Sequence, residues 1–306
     1  HERSPALVVA GPRADNPTQV GLVYALGRQT VSSWHFEHPS QFAGGKILGA
    51  LGQEAVTKEG TEGHGPGKIG RALLLDGATR LQVQSPYLDG LREGVFVECW
   101  VCPQAAADGT VMPIVSKGEG ASATFWLRLA AIGGKAFGLQ GGVRLEGAPG
   151  AMSPATGPLV PAGEWSHVAL AWSLDTHAAS GSLTCACVLR VNGEEAAATY
   201  LTGGDLAFTP GTAPLHIGYD GTNYFKVLMD ELKIAGLVAG EARVMPKNTE
   251  VYFEPKSAGP WRVHFDREGK LDRTHHTGPV HFRVIGDYKS DNEQLLRTVR
   301  VNWLGA

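Results

Sequence analysis

Long apolar runs are absent: no stretch of the 306-residue chain approaches the ~20 residues of a membrane-spanning helix. An apolar signal core near the N-terminus is absent too, so the chain is expected to be soluble as it stands. A cleaved leader or a trimmed anchor would leave the same picture, so an extracellular, cell-surface or periplasmic location stays open. Basic clusters are also missing. With 27 Lys and Arg against 30 Asp and Glu, a net charge of −3 and no basic run longer than a pair, the chain lacks the electrostatic footprint of a nucleic-acid partner. Helical periodicity is missing between Ala72 and Ile234, which excludes parallel βαβ layouts.

What the chain has instead is short alternating runs. Glycine and proline together make up 41 + 18 = 59 residues, spread without a Gly-x-y period, as tight turns between many strands require. The organising stretch is Trp165-Ser-His-Val-Ala-Leu-Ala-Trp172, then Cys185-Ala-Cys-Val-Leu-Arg-Val-Asn-Gly193. Val168, Leu170 and Trp172 fall on one face, as do Cys187, Leu189 and Val191, and Asn192-Gly193 supplies the positive φ angles of a tight hairpin. From Ala72 to Ile234 such runs recur about every ten residues, the spacing of a sandwich or jelly roll. Residues 1–65 look irregular. Val20 to Leu26 is a short apolar run, Trp34 to His38 reads as an edge strand and 43–70 as a loop. After Gly240, runs at 261–271, 279–285 and 296–305 read as a three-stranded meander.

The four cysteines form two close pairs, Cys99/Cys102 and Cys185/Cys187, each inside a strand-like run. Buried thiols are the leading expectation, with a cross-strand disulfide or a metal as alternatives. His35 and His38 read as surface residues. His264, His275, His276 and His281 also read so, with a transition-metal site as the alternative if His264 and His281 pair across strands.

Leu75-Asp-Gly77, Val95-Phe-Val-Glu-Cys-Trp-Val-Cys-Pro103, Ile114-Val-Ser-Lys-Gly118, Gly163-Glu-Trp-Ser-His-Val-Ala169, Leu189-Arg-Val-Asn-Gly193, Leu215-His-Ile-Gly218 and Met229-Asp-Glu-Leu-Lys-Ile234 resemble, in order and spacing, the laminin G-like jelly rolls of the concanavalin A-like lectin/glucanase superfamily. The resemblance implies an all-β antiparallel sandwich over about 66–240, flanked by an N-terminal segment, 1–65, and a small antiparallel sheet from 241–306. It also implies a structural calcium ion held between Asp76 and Asp230. Val263-His-Phe-Asp-Arg-Glu-Gly269 with Arg297-Thr-Val-Arg-Val-Asn-Trp-Leu-Gly305 resembles the C-terminal sheet of type IV pilin-like proteins, minor pseudopilins in particular. That likeness implies pilus or secretion subunits as partners and residues 1–40 packing beside the C-terminal sheet. The apolar N-terminal helix of that family is not in this sequence.

Because one scaffold hosts lectins, hydrolases, lyases and adhesion modules, chemistry must be argued from residues. The Glu-x-Asp-x-Glu run of jelly-roll glucanases is absent, and Asp230 and Glu231, being adjacent on a strand, are expected to face opposite ways. His167 reads as a core-strand histidine, with general-base work as the alternative. The loop Gly218-Tyr-Asp-Gly-Thr-Asn-Tyr224 offers Tyr219 and Tyr224 for stacking on a sugar, and Asp220 and Asn223 for its hydroxyls. The reading is a non-catalytic binding or adhesion protein for a carbohydrate or surface protein. A polysaccharide hydrolase or lyase on the same scaffold is the alternative.

Overall fold

The computed structural model describes residues 6–13, 16–37, 45–91, 94–145, 148–152, 157–176, 183–202, 208, 211–239, 243–244, 249–253, 261–264, 280–287 and 294–301. In chain order the elements are β1 (Ala6–Arg13), β2 (Asn16–Trp34), β3 (Lys46–Leu48), β4 (Glu54–Glu59), β5 (Gly63–Pro66), β6 (Arg71–Asp76), β7 (Arg80–Val83), the one-turn α1 (Pro86–Asp89), β8 (Gly94–Pro103), β9 (Val111–Lys117), β10 (Phe125–Ile132) and β11 (Ala136–Leu145). There follow β12 (Ala148–Met152), β13 (Val160–Pro161), β14 (Ser166–Thr176), β15 (Leu183–Val191), β16 (Glu194–Thr202), β17 (Leu215–Ile217), β18 (Lys226–Ala239), β19 (Arg243–Val244), β20 (Thr249–Phe253), β21 (Trp261–His264), β22 (Val280–Asp287) and β23 (Gln294–Val301).

By contact the chain divides into two compact units, residues 29–174 with 185–236, and residues 1–28, 175–184 and 237–306. The first unit is a sandwich of two antiparallel sheets. One runs β16-β15-β14-β8-β18-β2, with β6 on β18 and β5 on β6. The other runs β12-β11-β10-β9-β17-β7-β4-β3, with β13 on β11. Alternation makes these strands what they are. On β10, Phe125, Leu127, Leu129 and Ala131 are buried while Trp126, Arg128 and Ala130 are only half-buried, so the strand has a core face and an outer face. Val168, Leu170 and Trp172 on β14 and Cys187, Leu189 and Val191 on β15 are all buried, as the sequence implies. Trp172 sits 5.0 Å from the Phe208 ring, centroid to centroid. Removing a fully buried ring such as Phe125 from a core like this costs about 3–5 kcal/mol.

The turn after β15 holds Asn192 at φ 51° and Gly193 at φ 84°, the pair of positive angles a two-residue hairpin needs. Asn192 also locks the turn to β14, since its Oδ1 accepts the His167 N–H at 2.9 Å and its own N–H donates to the His167 carbonyl at 2.8 Å.

Residues 29–65 depart from the sequence expectation. The run 43–70 is not a loop: it carries β3, β4 and β5, and Ile47 and Ala55 are fully buried. Ala55-Val-Thr57 pairs with β7 across Val83, Gln82 and Leu81, so an existing sheet edge overrides a Gly- and Glu-rich composition. Trp34 is no edge residue either: it ends β2 and is fully buried.

In the second unit β1 pairs with β2 and β21, β19 pairs with β2, and β20-β22-β23 form a three-stranded antiparallel sheet. That sheet begins at Thr249, not with the run at Trp261, which pairs with β1 in the register Ala6↔His264. His281 lies on β22 opposite Arg300. His264 and His281 are therefore on strands of different sheets and do not pair. His275 and His276 lie outside the described residues, as does His38.

Candidate functional site

The cross-strand register of the second sheet lines up one outward-facing row. Gly142 of β11 stands opposite Trp126 of β10, Trp126 opposite Ser116 of β9, Ser116 opposite His216 of β17, and His216 opposite Gln82 of β7. At Trp126 and Ser116 of this row opens a cavity of about 600 Å³, lined also by Arg128, Arg144, Asp220 and Pro113, among others. That lies within the roughly 300–1,000 Å³ of small-molecule sites. Gly142 opposite Trp126 leaves the indole without a neighbouring side chain on its β11 side. The Arg128 Nε donates to Gln140 Oε1 at 3.0 Å, and an Arg144 guanidinium nitrogen donates to the Ala121 carbonyl at 3.0 Å. Both bonds hold a cationic group beside the cavity.

Of the four residues expected to bind a ligand, Asp220 lines this cavity. Its carboxylate organises its own loop, accepting from the N–H groups of Thr222 at 3.1 Å and Asn223 at 2.8 Å and from Asn223 Nδ2. Its carbonyl accepts from Gly120 N–H at 2.7 Å, which fastens the loop to the segment after β9. Tyr219 and Tyr224, both half-buried, pack against each other. Their rings are 4.8 Å apart, the Arg80 guanidinium lies 4.8 Å over Tyr219, and the Tyr224 hydroxyl donates to Glu59. The bond to the Glu59 carboxylate pushes the Tyr224 phenol up from its ordinary value.

Beneath that loop His216, with 1% of its surface exposed, stacks edge-on against Tyr219. Glu119 Oε1 approaches its Nε2 to 3.3 Å and Arg80 to 3.5 Å. The His216 contact lacks hydrogen-bond alignment, so both ring nitrogens stand without a hydrogen-bond partner among the described residues. Burial, outweighing the Glu119 charge, lowers the His216 pKa. His167 is also lowered by burial and packs against Trp100 at 5.3 Å, so it is a core-strand residue. The cavity, this cluster and the loop between them belong to one sheet face.

A second group lies on the first sheet. Asp76 and Asp230 are not brought together. Asp76 pairs with Lys226, four residues from Asp230, or about 13 Å along a strand. Two ligands of one calcium each lie about 2.4 Å from the ion. Asp76 caps its own turn, accepting from Ala78 N–H and Thr79 Oγ1 at 2.8 Å each, and the first of these bonds holds its pKa down.

Asp230 instead meets Glu37 and Glu231, with one ligand oxygen of each within 4.8 Å of the others. The expectation that Asp230 and Glu231 face opposite ways fails because β18 bulges there. Asp230 opposes Trp100 and Lys233 opposes Glu98, three steps against two, and Glu231 adopts φ 52°. The fully buried Asp230 accepts from Ile69 N–H at 2.9 Å and Glu231 N–H at 2.8 Å. Burial pushes its pKa up, and the neighbouring Glu231 and Glu37 charges push the same way. Glu37 Oε2 accepts from Arg71 N–H at 3.2 Å, whereas Oε1 is buried with no hydrogen-bond partner among the described residues. His35 Nδ1 lies 2.7 Å from Glu231 Oε2.

All four cysteines carry free thiols; Cys99, Cys185 and Cys187 are buried and Cys102 is half-buried. Burial pushes the Cys187 thiol up to about 12, so it is neither a nucleophile nor a ready metal ligand at neutral pH.

Reasoning from the sequence missed Trp126, Arg128, Arg144, Glu37 and His216. The signal for the first two was present in Phe125-Trp-Leu-Arg-Leu129, whose alternation puts Trp and Arg on the face opposite the core. No local pattern announces Glu37.

An antiparallel two-sheet sandwich of this kind is a jelly roll in form. Residues 75–245 match the concanavalin A-like lectin/glucanases superfamily in its laminin G form, and the chain belongs to that superfamily. Among solved structures it is similar to domain 4 of the extracellular arabinanase AbnA from Geobacillus stearothermophilus in complex with arabinotriose, at 22% identity, covering 69% of this chain and 94% of that one, TM-score 0.44. It is also similar to the binding domain of botulinum neurotoxin serotype D/C, at 9% identity, covering 87% and 73%, TM-score 0.44. A third is Trypanosoma rangeli sialidase in complex with the inhibitor DANA, at 14% identity, covering 67% and 30%, TM-score 0.42. No curated protein sequence matches this chain.

Proposed function

We propose that this protein is a secreted or surface-displayed carbohydrate-binding module without catalytic activity. The observation that carries the reading is the cavity around Trp126: an apolar ring for the face of a sugar, bounded by Ser116, Arg128, Arg144 and Asp220 for its polar groups. Retaining hydrolysis needs two carboxyl groups about 5–5.5 Å apart astride the bond. Asp220 is the carboxylate of the lining, and its oxygens are engaged within its loop. A glycan array tests the reading. Selective binding that drops at least about tenfold, or 1.4 kcal/mol, in Trp126→Ala supports it. A blank array, or binding indifferent to that substitution, overturns it.

One observation favours a second reading, a polysaccharide lyase: His216, Tyr219, Tyr224, Arg80 and Glu119 converge on the same sheet face. Against it stand the burial of His216 and the Tyr224 hydroxyl's bond to Glu59. Release of unsaturated uronate products from an acidic polysaccharide would decide for the lyase.

The expected calcium moves to Glu37, Asp230 and Glu231. The donor set fits, being hard carboxylate oxygens with one buried and unpartnered. A bound ion would neutralise three crowded anions there and fix the bulge of β18. The pilin-like resemblance rests on sequence runs at Val263 and Arg297 whose strands, β21 and β23, lie in different sheets; assembly subunits stay as proposed partners of the second unit on that resemblance alone. Co-purification with pilus or secretion subunits from the native host tests that role.

A further inference from the structure

We propose that the Trp126 cavity selects anionic saccharides, holding a carboxylate or sulfate on the Arg144 and Arg128 side chains. The inference rests on the carbohydrate reading and sharpens its ligand class. Arg128 follows Trp126 by two residues on one strand, and Arg144 follows by two the Gly142 that stands opposite Trp126. With alternating side chains, the two guanidinium groups therefore bracket the indole on the same outer face, one toward each end. Each is anchored by a bond that leaves most of its five donors unspent on that partner: Arg128 through Nε to Gln140, Arg144 through one terminal nitrogen to Ala121.

The acidic groups nearby are already committed. Asp220 lines the cavity, but Oδ1 takes two backbone N–H groups and the Asn223 amide, which also reaches Oδ2 at 3.1 Å. Glu119 precedes the lining residue Gly120, yet its carboxylate turns to Arg80 and His216. Two anchored cations facing one internally satisfied anion leave the cavity net positive. A guanidinium fork matches a planar carboxylate or a sulfate face, and such charge-assisted bonds are the strong ones.

The test is calorimetric titration of the full chain with an oligouronate, its methyl ester, and a sulfated oligosaccharide without uronate. We expect the acid to bind at least about tenfold more tightly than its ester, an advantage that shrinks with added salt and disappears in Arg144→Gln and Arg128→Gln. Arg144 is exposed, so Arg144→Gln alone carries the comparison if Arg128→Gln fails to fold. Arg144→Lys should keep part of the preference, retaining charge without the fork. Binding of the sulfated probe with the same arginine dependence supports the shared anion chemistry with sulfate as its source. Equal affinity for acid and ester, unmoved by either arginine variant but lost in Trp126→Ala, overturns the anion preference while the carbohydrate reading stands. No binding of any saccharide overturns both.

Discussion

His216 shows at the scale of one residue how the outer face differs from a plain solvent-facing sheet. It is as buried as the core, yet its nitrogens have no hydrogen-bond partner among the described residues; Glu119 and the Tyr219 ring stand against it, and the Arg80 and Lys117 charges act on it. Burial is the largest influence on its titration, with Arg80 and Lys117 adding to it and Glu119 opposing. Its folded pKa is below the ordinary 6.5, so as pH falls the unfolded chain takes up the proton first. The contribution to stability is full above about pH 6.5 and is lost below it, by at most about 1.4 kcal/mol per pH unit. Urea denaturation of the wild type and His216→Gln at pH 7.5 and 5.5 checks this: the wild type should lose more stability on acidification than the variant. Parallel losses would show that the ring is protonated in the fold. Comparing the two proteins removes the contributions of His64 and His167, which are lowered by burial as well.

Among elements, β18 is the one whose function turns on an irregularity. Glu231 at φ 52° is strained for a residue with a Cβ, at about 1–2 kcal/mol, and that strain turns its carboxylate toward Asp230 and Glu37. Without calcium, Glu231→Gly should therefore be more stable than the wild type by about 1 kcal/mol, since its half-exposed pairing with His35 contributes little. With calcium the order should reverse, because an ion at 100 times its dissociation constant adds about 2.7 kcal/mol to the wild type alone. Thermal melts of both proteins in calcium and in chelator measure this. An unchanged wild-type Tm on adding calcium would sink the cation site. This element also marks how far the sequence could be read. The alternation of β10, β14 and β15 and the turn at Asn192-Gly193 are local properties, and they were legible. The bulge depends on which residues of β8 face β18, and β4 exists because β7 offers an edge, so neither is written in its own segment. Adjacent Asp230 and Glu231 looked opposed for that reason, and Asp76 looked like the partner because chain position stood in for register.

Across the sandwich the two candidate sites fall on different sheets. The carboxylate triad sits at the bulge of β18, whose neighbours are β8, β6 and β2, while the cavity is built by β9, β10, β11 and the loop carrying Asp220. None of the residues named for one contributes to the other, and what they share is the core between the sheets. Close packing of that core holds each sheet in shape without requiring a ligand at either site. Sites without common partners are expected to be energetically independent to within about 0.5 kcal/mol, a little over a twofold change in affinity. Calcium should accordingly raise the Tm while leaving the dissociation constant for a Trp126-dependent glycan unchanged to about that factor. Titrating the glycan in calcium and in chelator, at a temperature where circular dichroism shows both samples folded, makes the comparison. Binding that vanishes on chelation of the still-folded protein would mean that the ion shapes the cavity and that the two sheets respond as one.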